Sequence, residues 1–311
     1  MAVFEIIDVH THTFASPERG VRWQKGISAD RKVERAGTID ELLDCMDKGG
    51  ISHSVMLMYT PTRFMYEAQI NRMGTLPNDP VKRETIERET KDLVVQRMII
   101  NNEWACEEIK KDPRLLAFAG LDPVYMSEET LIKEIDDKAS KGCKGVKIVP
   151  LALGIYGNDK RLWPVYEKIS RLGIPMLSQA GGGPGEESGK DAWGRPKYFA
   201  DALRDFPDLK LILAHLGHGY NDDMFELCSK FSNLYTDISG QLNNLDEPGG
   251  RQSEELVEFI RRCGVEQVLW GTNFPMNDPV LYSKLTDTLS LTSHEKELIS
   301  NKNAKRVIGI N

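Results

Sequence analysis

The sequence predicts an α/β protein built as one distorted (β/α)8 TIM barrel that spans residues 1–311 as a single domain. Three observations favour this fold: eight short apolar runs, segments with helical periodicity between them, and the lack of any linker or composition shift that would divide the chain. The runs are Val3–Val9, Ser54–Met58, Leu115–Leu121, Gly145–Val149, Ile174–Ser178, Leu209–Ala214, Leu234–Ile238 and Gln267–Trp270.

The segments between the runs carry helix signals. Glu128–Lys141 and Lys160–Arg171 each place their apolar residues on one face, and a glycine follows each segment, as helix ends favour. The longest gap separates the second and third runs, and its polar part, Asp79–Lys111, predicts a helical excursion there. We expect Thr13–Gly37 to form a second excursion, a loop after the first strand.

Composition limits the class of protein and its partners. The chain is 40% hydrophobic and 28% charged with a net charge of −7, which is typical of a soluble protein and disfavours nucleic acid or an anionic membrane as partner. Five widely spaced cysteines without a CxxC motif indicate buried thiols in a reducing compartment. With no leader pattern or long apolar stretch, we expect a cytoplasmic protein.

In a TIM barrel the active site lies at the carboxyl ends of the strands. His10 and His12 end the first run, and because alternate side chains of a strand share a face, both imidazoles can point toward one ion. Lys147 lies inside the fourth run, where a buried ammonium needs a carboxylate, a substrate anion or covalent modification. His215 and His218 follow the sixth run.

Further candidates follow other strands. Asp237 ends the seventh run, where its carboxylate could act as a base, and Asn273 follows the eighth. Loop side chains could bind a substrate carboxylate or donate a hydroxyl, although solvated charge and simple packing are the competing interpretations. These loop candidates are Arg19, Arg22, Tyr59 and Tyr156.

Several motifs together resemble the amidohydrolase superfamily, in the branch of aminocarboxymuconate semialdehyde decarboxylase, related aromatic-acid decarboxylases and pyrone dicarboxylate lactonase. They are IIDVHTHTF, NNEWACEEIKKDPRLLAFAGLDP, GVKIVP, LWPVYEKISRLGIPMLSQAGGG, FPDLKLILAHLGHG and VLWGTNFP. The resemblance implies a distorted barrel with, in most members, one divalent ion, often zinc. That ion is held by the HxH pair, a histidine after the fifth strand and an aspartate after the eighth.

Two positions depart from the family pattern. His10 and His12 match the first-strand ligands, and His215 matches the sixth-strand histidine that orients water or substrate. Gln179 stands where the fifth-strand histidine is expected, and Asn273 replaces the aspartate. Amides are weak ligands for zinc, so the predicted zinc ion, with Gln179 and His215 as additional ligands, has uncertain occupancy. Metal-assisted and metal-free chemistry both remain open.

The sequence therefore predicts a hydrolase that acts on a small carboxylated, lactone or amide-like substrate. Water would attack a carbonyl polarised by Lys147 and His215, and Asp237 or His218 would accept the proton. One alternative is a decarboxylase of an aromatic or enoic acid, and another is a ligand-binding or catalytically silent barrel. A small carboxylate or lactone is the expected partner, and a homodimer is compatible with the family.

Overall fold

The computed structural model describes residues 5–182 and 191–310, and it confirms the predicted TIM barrel. Eight parallel strands pair in sequence order from β1 to β8 and alternate with helices. The strands are β1 (Ile6–Thr11), β2 (Ile51–Leu57), β3 (Leu115–Gly120), β4 (Gly145–Ile148), β5 (Met176–Ser178), β6 (Leu211–Leu213), β7 (Leu234–Asp237) and β8 (Val268–Leu269). Each overlaps the run predicted for it, although the first predicted residues, 3 and 4, lie outside the described part.

The helices form the outer layer. Among the described residues, no helix is long and apolar enough to cross a membrane. The α-helices are α1 (Pro17–Ile27), α2 (Ile39–Gly49), α3 (Thr62–Met73), α4 (Pro80–Glu108), α5 (Glu128–Ser140), α6 (Pro150–Leu153), α7 (Trp163–Leu172), α8 (Ala200–Asp205), α9 (Asn221–Lys230), α10 (Ser253–Cys263), α11 (Pro279–Thr288), α12 (Ser293–Glu297) and α13 (Asn303–Ile308).

The two predicted excursions have different outcomes. Helices α3 and α4 fill the gap between β2 and β3, which confirms the helical excursion there. The segment 13–37 is not simply a loop, because it contains α1. Pro17 opens that helix, Glu18 lies in its first turn and Lys25 in its last, all of which suit the helix geometry and dipole.

A few backbone hydrogen bonds close the barrel between its first and last strands. The Val9 amide donates to Trp270 O (3.0 Å), and the His12 amide donates to Phe274 O (2.7 Å). The hydrogen bonds that join β1 to the end of the sheet are made by residues that follow β8, since β8 itself is only two residues long. The barrel is therefore nearly closed, with its seam beside the paired histidines.

Two apolar clusters stabilise the barrel. An outer cluster packs the strands against the helices, and an inner one fills the barrel with side chains such as Val55, Phe118 and Leu177. Ala304 and Val307 of α13 join the inner cluster, so the last helix covers the amino-terminal end of the barrel. The polar groups are thereby concentrated at the opposite, carboxyl-terminal end.

A β-bulge in β1 decides which way its histidines face. Ile7 and Val9 belong to the inner cluster, so simple alternation would send His10 outward. The pairing with β2 gains one residue between Asp8 and Thr11, because these residues pair with Ser54 and Met56. Because of this extra residue, the inward and outward alternation of side chains changes at the bulge, and His10 points into the barrel mouth.

The cysteines have no disulfide partners. All five are free and buried within the described chain, as the sequence predicts. Cys106 and Cys143 nevertheless approach to 3.5 Å between their sulfur atoms, although they are distant in sequence.

Candidate active site

A buried hydrogen-bond network joins the ends of β1, β6 and β7. His10 Nδ1 lies 2.9 Å from Asp237 Oδ2, and the two side chains are 1% and 0% exposed. The Ser239 hydroxyl lies 2.7 Å from His215 Nδ1 and 3.1 Å from His10 Nδ1, and it also donates to Asp237. One serine thus connects two imidazoles and a carboxylate.

Asp237 is held in its ionised form by its donors. Besides His10 and the Ser239 hydroxyl, the amides of His215 (3.1 Å) and Ser239 (3.0 Å) donate to its Oδ1. Burial alone would raise the pKa of Asp237, but its interaction with His10 and the hydrogen bonds from His10 and Ser239 hold it well below its usual range. Because an ionised carboxylate only accepts hydrogen bonds, His10 must carry its proton on Nδ1. Burial lowers the pKa of His10 and favours the neutral ring, so the lone pair of Nε2 is free.

His215 is fixed in the same tautomer by a different acceptor. Its Nδ1 lies 3.1 Å from the backbone oxygen of Ser239, which cannot donate, so Nδ1 carries the proton. Burial, together with the neighbouring His10, lowers the pKa of His215 to about 3 and keeps the ring neutral. Its Nε2 is consequently an acceptor, so a neutral His215 could hold water but could not polarise a carbonyl by donation.

His12 lies beside this network and under a tryptophan. Its ring centroid is 5.2 Å from that of His10 and 4.9 Å from that of Trp23 in α1. Its Nδ1 lies 3.4 Å from Leu57 O, a long contact, and burial lowers its pKa well below the usual value. His12 is thus a second neutral imidazole in the mouth, and α1 covers it.

Lys147 approaches the same network from β4. Its strand neighbours Val146 and Ile148 belong to the outer cluster, so the alternation directs Lys147 into the barrel. The side chain is 2% exposed, and its charge interacts with His10, His12 and His215. Burial lowers its pKa to about 7, while Asp237 opposes that shift. The structure therefore brings together the imidazole pair, the lysine and the later histidine.

The two amide positions, Gln179 and Asn273, make different contacts. Gln179 Nε2 donates to the backbone oxygens of Ala180 (2.9 Å) and Gly181 (3.0 Å). Its Oε1 has no partner among the described residues and lies close to Gly194, where an added Cβ would come within 2.8 Å. Asn273 contributes its backbone, because its amide donates to His10 O at 2.7 Å from a left-handed conformation, φ 67°.

The remaining predicted residues lie away from the network or have other partners. Arg19 and Arg22 are exposed on α1, and His218 is exposed with its ring 6.2 Å from that of His215. Tyr59 is mostly buried, which raises its pKa. Tyr156 donates its hydroxyl to the backbone of Asp191 (3.2 Å) within an aromatic cluster. Their substrate-binding roles remain predictions.

Several residues of the site were not identified from the sequence. Asp8 accepts from the amides of His10 and Thr272 (both 3.0 Å), and burial raises its pKa to about 7. Gly271 allows close packing, because an added Cβ would lie 3.0 Å from the Cβ of His10. Ser239 and Trp23 complete this group. Ser239 follows Asp237 by two residues, and that spacing was the available signal.

Three described residues could hold a metal ion, but hydrogen bonds already link their Nδ1 and carboxylate atoms. Ligand-type atoms of His10, His215 and Asp237 lie within 4.8 Å of one another, but Ser239 and protons already link them. No other such group of three occurs among the described residues, so His12 belongs to none. With amides at the two remaining family positions and a buried lysine nearby, the residues resemble a hydrogen-bonded network more than a metal centre. Zinc therefore remains an unsupported prediction.

Comparison with solved structures shows the same fold. The chain is similar to 5-carboxyvanillate decarboxylase from Sphingomonas paucimobilis (16% identity, TM-score 0.69, covering 99% of this chain and 100% of that one). It is also similar to a dihydroxybenzoic acid decarboxylase from Polaromonas sp. JS666 with bound manganese (15%, 0.66, 99% and 97%). A third is described as a probable 2-pyrone-4,6-dicarboxylic acid hydrolase from Acinetobacter baumannii with citric acid bound (15%, 0.62, 98% and 100%).

Sequence comparison assigns the family. No curated protein sequence matches the chain. The family model described as amidohydrolase matches residues 7–310, nearly the whole length. At identities of 14–18%, the solved structures show the fold alone. The family model carries the assignment: this chain belongs to the amidohydrolase family.

Proposed function

We propose that this chain is a metal-independent hydrolase of a small carboxylated lactone or a similar activated carbonyl compound. The single observation that carries the proposal is the hydrogen bond from His10 Nδ1 to the buried Asp237 carboxylate, 2.9 Å long. A histidine oriented in this way presents Nε2 as a general base, and the carboxylate stabilises the imidazolium that forms when the base accepts a proton.

The other groups take complementary roles. Lys147 has donor hydrogens without a partner among the described residues, and its ammonium form would stabilise the negative charge that develops on the carbonyl oxygen. His215 and His12, as acceptors, would orient the attacking water. Asp237 acts through His10 as a positioning residue, so the proposed base is the oriented imidazole rather than the free carboxylate expected from the sequence.

The decarboxylases among the similar structures support a second candidate, the removal of carbon dioxide from an aromatic or enoic acid. The partnerless amine of Lys147 favours this candidate, because a buried cation can bind a substrate carboxylate. The two functions have different products: hydrolysis consumes water and releases no carbon dioxide. A silent barrel would give neither product.

The test uses purified full-length protein in buffer with a chelator. Hydrolysis of 2-pyrone-4,6-dicarboxylate and simpler lactones is followed by proton release. We expect turnover, and we expect His10→Asn to reduce kcat by roughly 10²–10⁴-fold, because Asn keeps the hydrogen bond to Asp237 but cannot accept a proton. His53→Asn, at the opposite end of the barrel, is the matched control and should retain activity. Activity that depends on added metal, or that survives His10→Asn, would contradict the proposal.

A further inference from the structure

Lys147 lies in an unusual position for a buried lysine. It is 2% exposed, yet its Nζ has no hydrogen-bond or ion-pair partner in the described part of the chain. The nearest carboxylate whose charge acts on it is Asp237, which already accepts from four donors. Among the described residues, therefore, no counter-ion neutralises this amine before a substrate arrives.

A second buried lysine shows that the chain supplies partners where a charge is only structural. Lys138, also 2% exposed, lies 2.7 Å from Glu103, 2.6 Å from Asp137 and 3.7 Å from Glu134. These carboxylates keep its ammonium ionised in the helical layer. Since the same fold pairs one buried lysine with three carboxylates, the lack of such a group around Lys147 in residues 5–182 and 191–310 is a local property of the barrel mouth.

An uncharged primary amine is a nucleophile toward ketones and aldehydes. Burial without a counter-ion favours the uncharged form, and the imidazoles around Lys147 have their Nε2 lone pairs free. Formation of an imine requires that a proton leave the nitrogen and that another reach the departing oxygen. Neighbouring acceptors that shuttle protons meet that requirement.

We propose that Lys147 forms an imine with the ketone of a β-keto acid and that this chain thereby decarboxylates such acids. This activity goes beyond the proposed hydrolysis, because it uses Lys147 as a nucleophile and needs neither a metal nor water attack by His10. The substrate class is a short β-keto carboxylate.

The reaction balances without any external oxidant or reductant. Nζ attacks the ketone carbon, the C–O bond breaks and water leaves, which gives an iminium. The bond between the α-carbon and the carboxylate then breaks, carbon dioxide departs, and the electron pair moves into the iminium to form an enamine. A proton adds to the α-carbon, and water then cleaves the C–N bond. The net change is a β-keto carboxylate and one proton to a ketone and carbon dioxide.

Trapping with borohydride tests the inference directly. The full-length protein is incubated with acetoacetate, reduced with sodium borohydride and analysed by intact mass and peptide mapping, while carbon dioxide release is measured in parallel. We expect one covalent adduct, located on Lys147, together with carbon dioxide. Lys144→Arg, three residues away, is the matched control and should keep both signals, whereas Lys147→Met should lose both.

The outcomes separate this inference from the proposed hydrolysis. An adduct spread over surface lysines, or its absence from the wild-type protein, would overturn the imine even if lactones are still hydrolysed. A Lys147 adduct in a protein that hydrolyses no lactone would support the imine and contradict the hydrolase. Because the wild-type measurement needs no variant, poor folding of Lys147→Met would not affect this decision.

Discussion

The two buried lysines occupy contrasting regions of this molecule. Lys138 lies in the helical layer between α4 and α5, surrounded by three carboxylates, and its pKa is raised. Lys147 lies in the barrel mouth among neutral imidazoles, and burial lowers its pKa to about 7. The side chains are equally buried, so burial alone does not define a lysine's role. The helical layer thus pairs its buried lysine with carboxylates of the same layer. In the barrel mouth, the buried lysine has no such partner among the described residues.

Removing the carboxylate of the mouth should have the largest effect. Asp237→Asn takes away the acceptor that fixes the His10 tautomer and the negative charge that acts on Lys147. We expect the rate of hydrolysis to fall by roughly 10³–10⁴-fold, as when the orienting carboxylate of a catalytic triad is replaced. Steady-state kinetics and ¹⁵N chemical shifts of the imidazoles measure the two effects. Asp222→Asn, on the exposed start of α9, is the control; equal losses in both variants would argue against an orienting role.

The same substitution at the two lysines should change stability in opposite directions. Lys138→Met leaves three carboxylates without their cation, and we expect a loss of about 3 kcal/mol. This estimate is at the lower end for a broken buried pair, because Glu103 and Asp137 are each 40% exposed and can be hydrated. Lys147→Met removes an amine that has no partner, and we expect a gain of about 1–4 kcal/mol. Urea denaturation at pH 7 measures the unfolding free energy of both variants. If both changes have the same sign, the two lysines do not differ in the way described here.

The pH dependence of stability gives a smaller, more specific signal. The folded pKa of Lys147, about 7, lies below its ordinary value of 10.5, so the unfolded chain binds more protons between these limits. The contribution of Lys147 to stability should therefore rise with pH across that window, by up to about 1.4 kcal/mol per pH unit, and stay constant below it. The difference in unfolding free energy between wild type and Lys147→Met, measured from pH 6 to about pH 10, isolates this contribution. If this difference does not change with pH, the pKa of Lys147 in the folded protein lies near its ordinary value.

Much of the fold follows from local sequence. Apolar runs separated by amphipathic segments predicted the eight strands, because periodicity reports which face of an element is buried. The excursion between β2 and β3 was predicted from the length and polar composition of that gap. The α1 helix was missed inside segment 13–37, because it is short and its buried residues are Gly20 and Gln24 rather than large apolar side chains. The positions of His10, Lys147, His215 and Asp237 at strand ends were also predictable, since strands of one barrel share a carboxyl end.

The sequence by itself determined the eight-stranded architecture and the residue types available at its mouth, because both depend on patterns within a few neighbouring positions. Only the tertiary structure decided how those residues act. The bulge in β1 turned His10 inward, Ser239 and Asp237 selected its tautomer, and Lys147 was left without the carboxylates that Lys138 obtained. Those outcomes depend on distances between segments far apart in the chain, which no local pattern encodes.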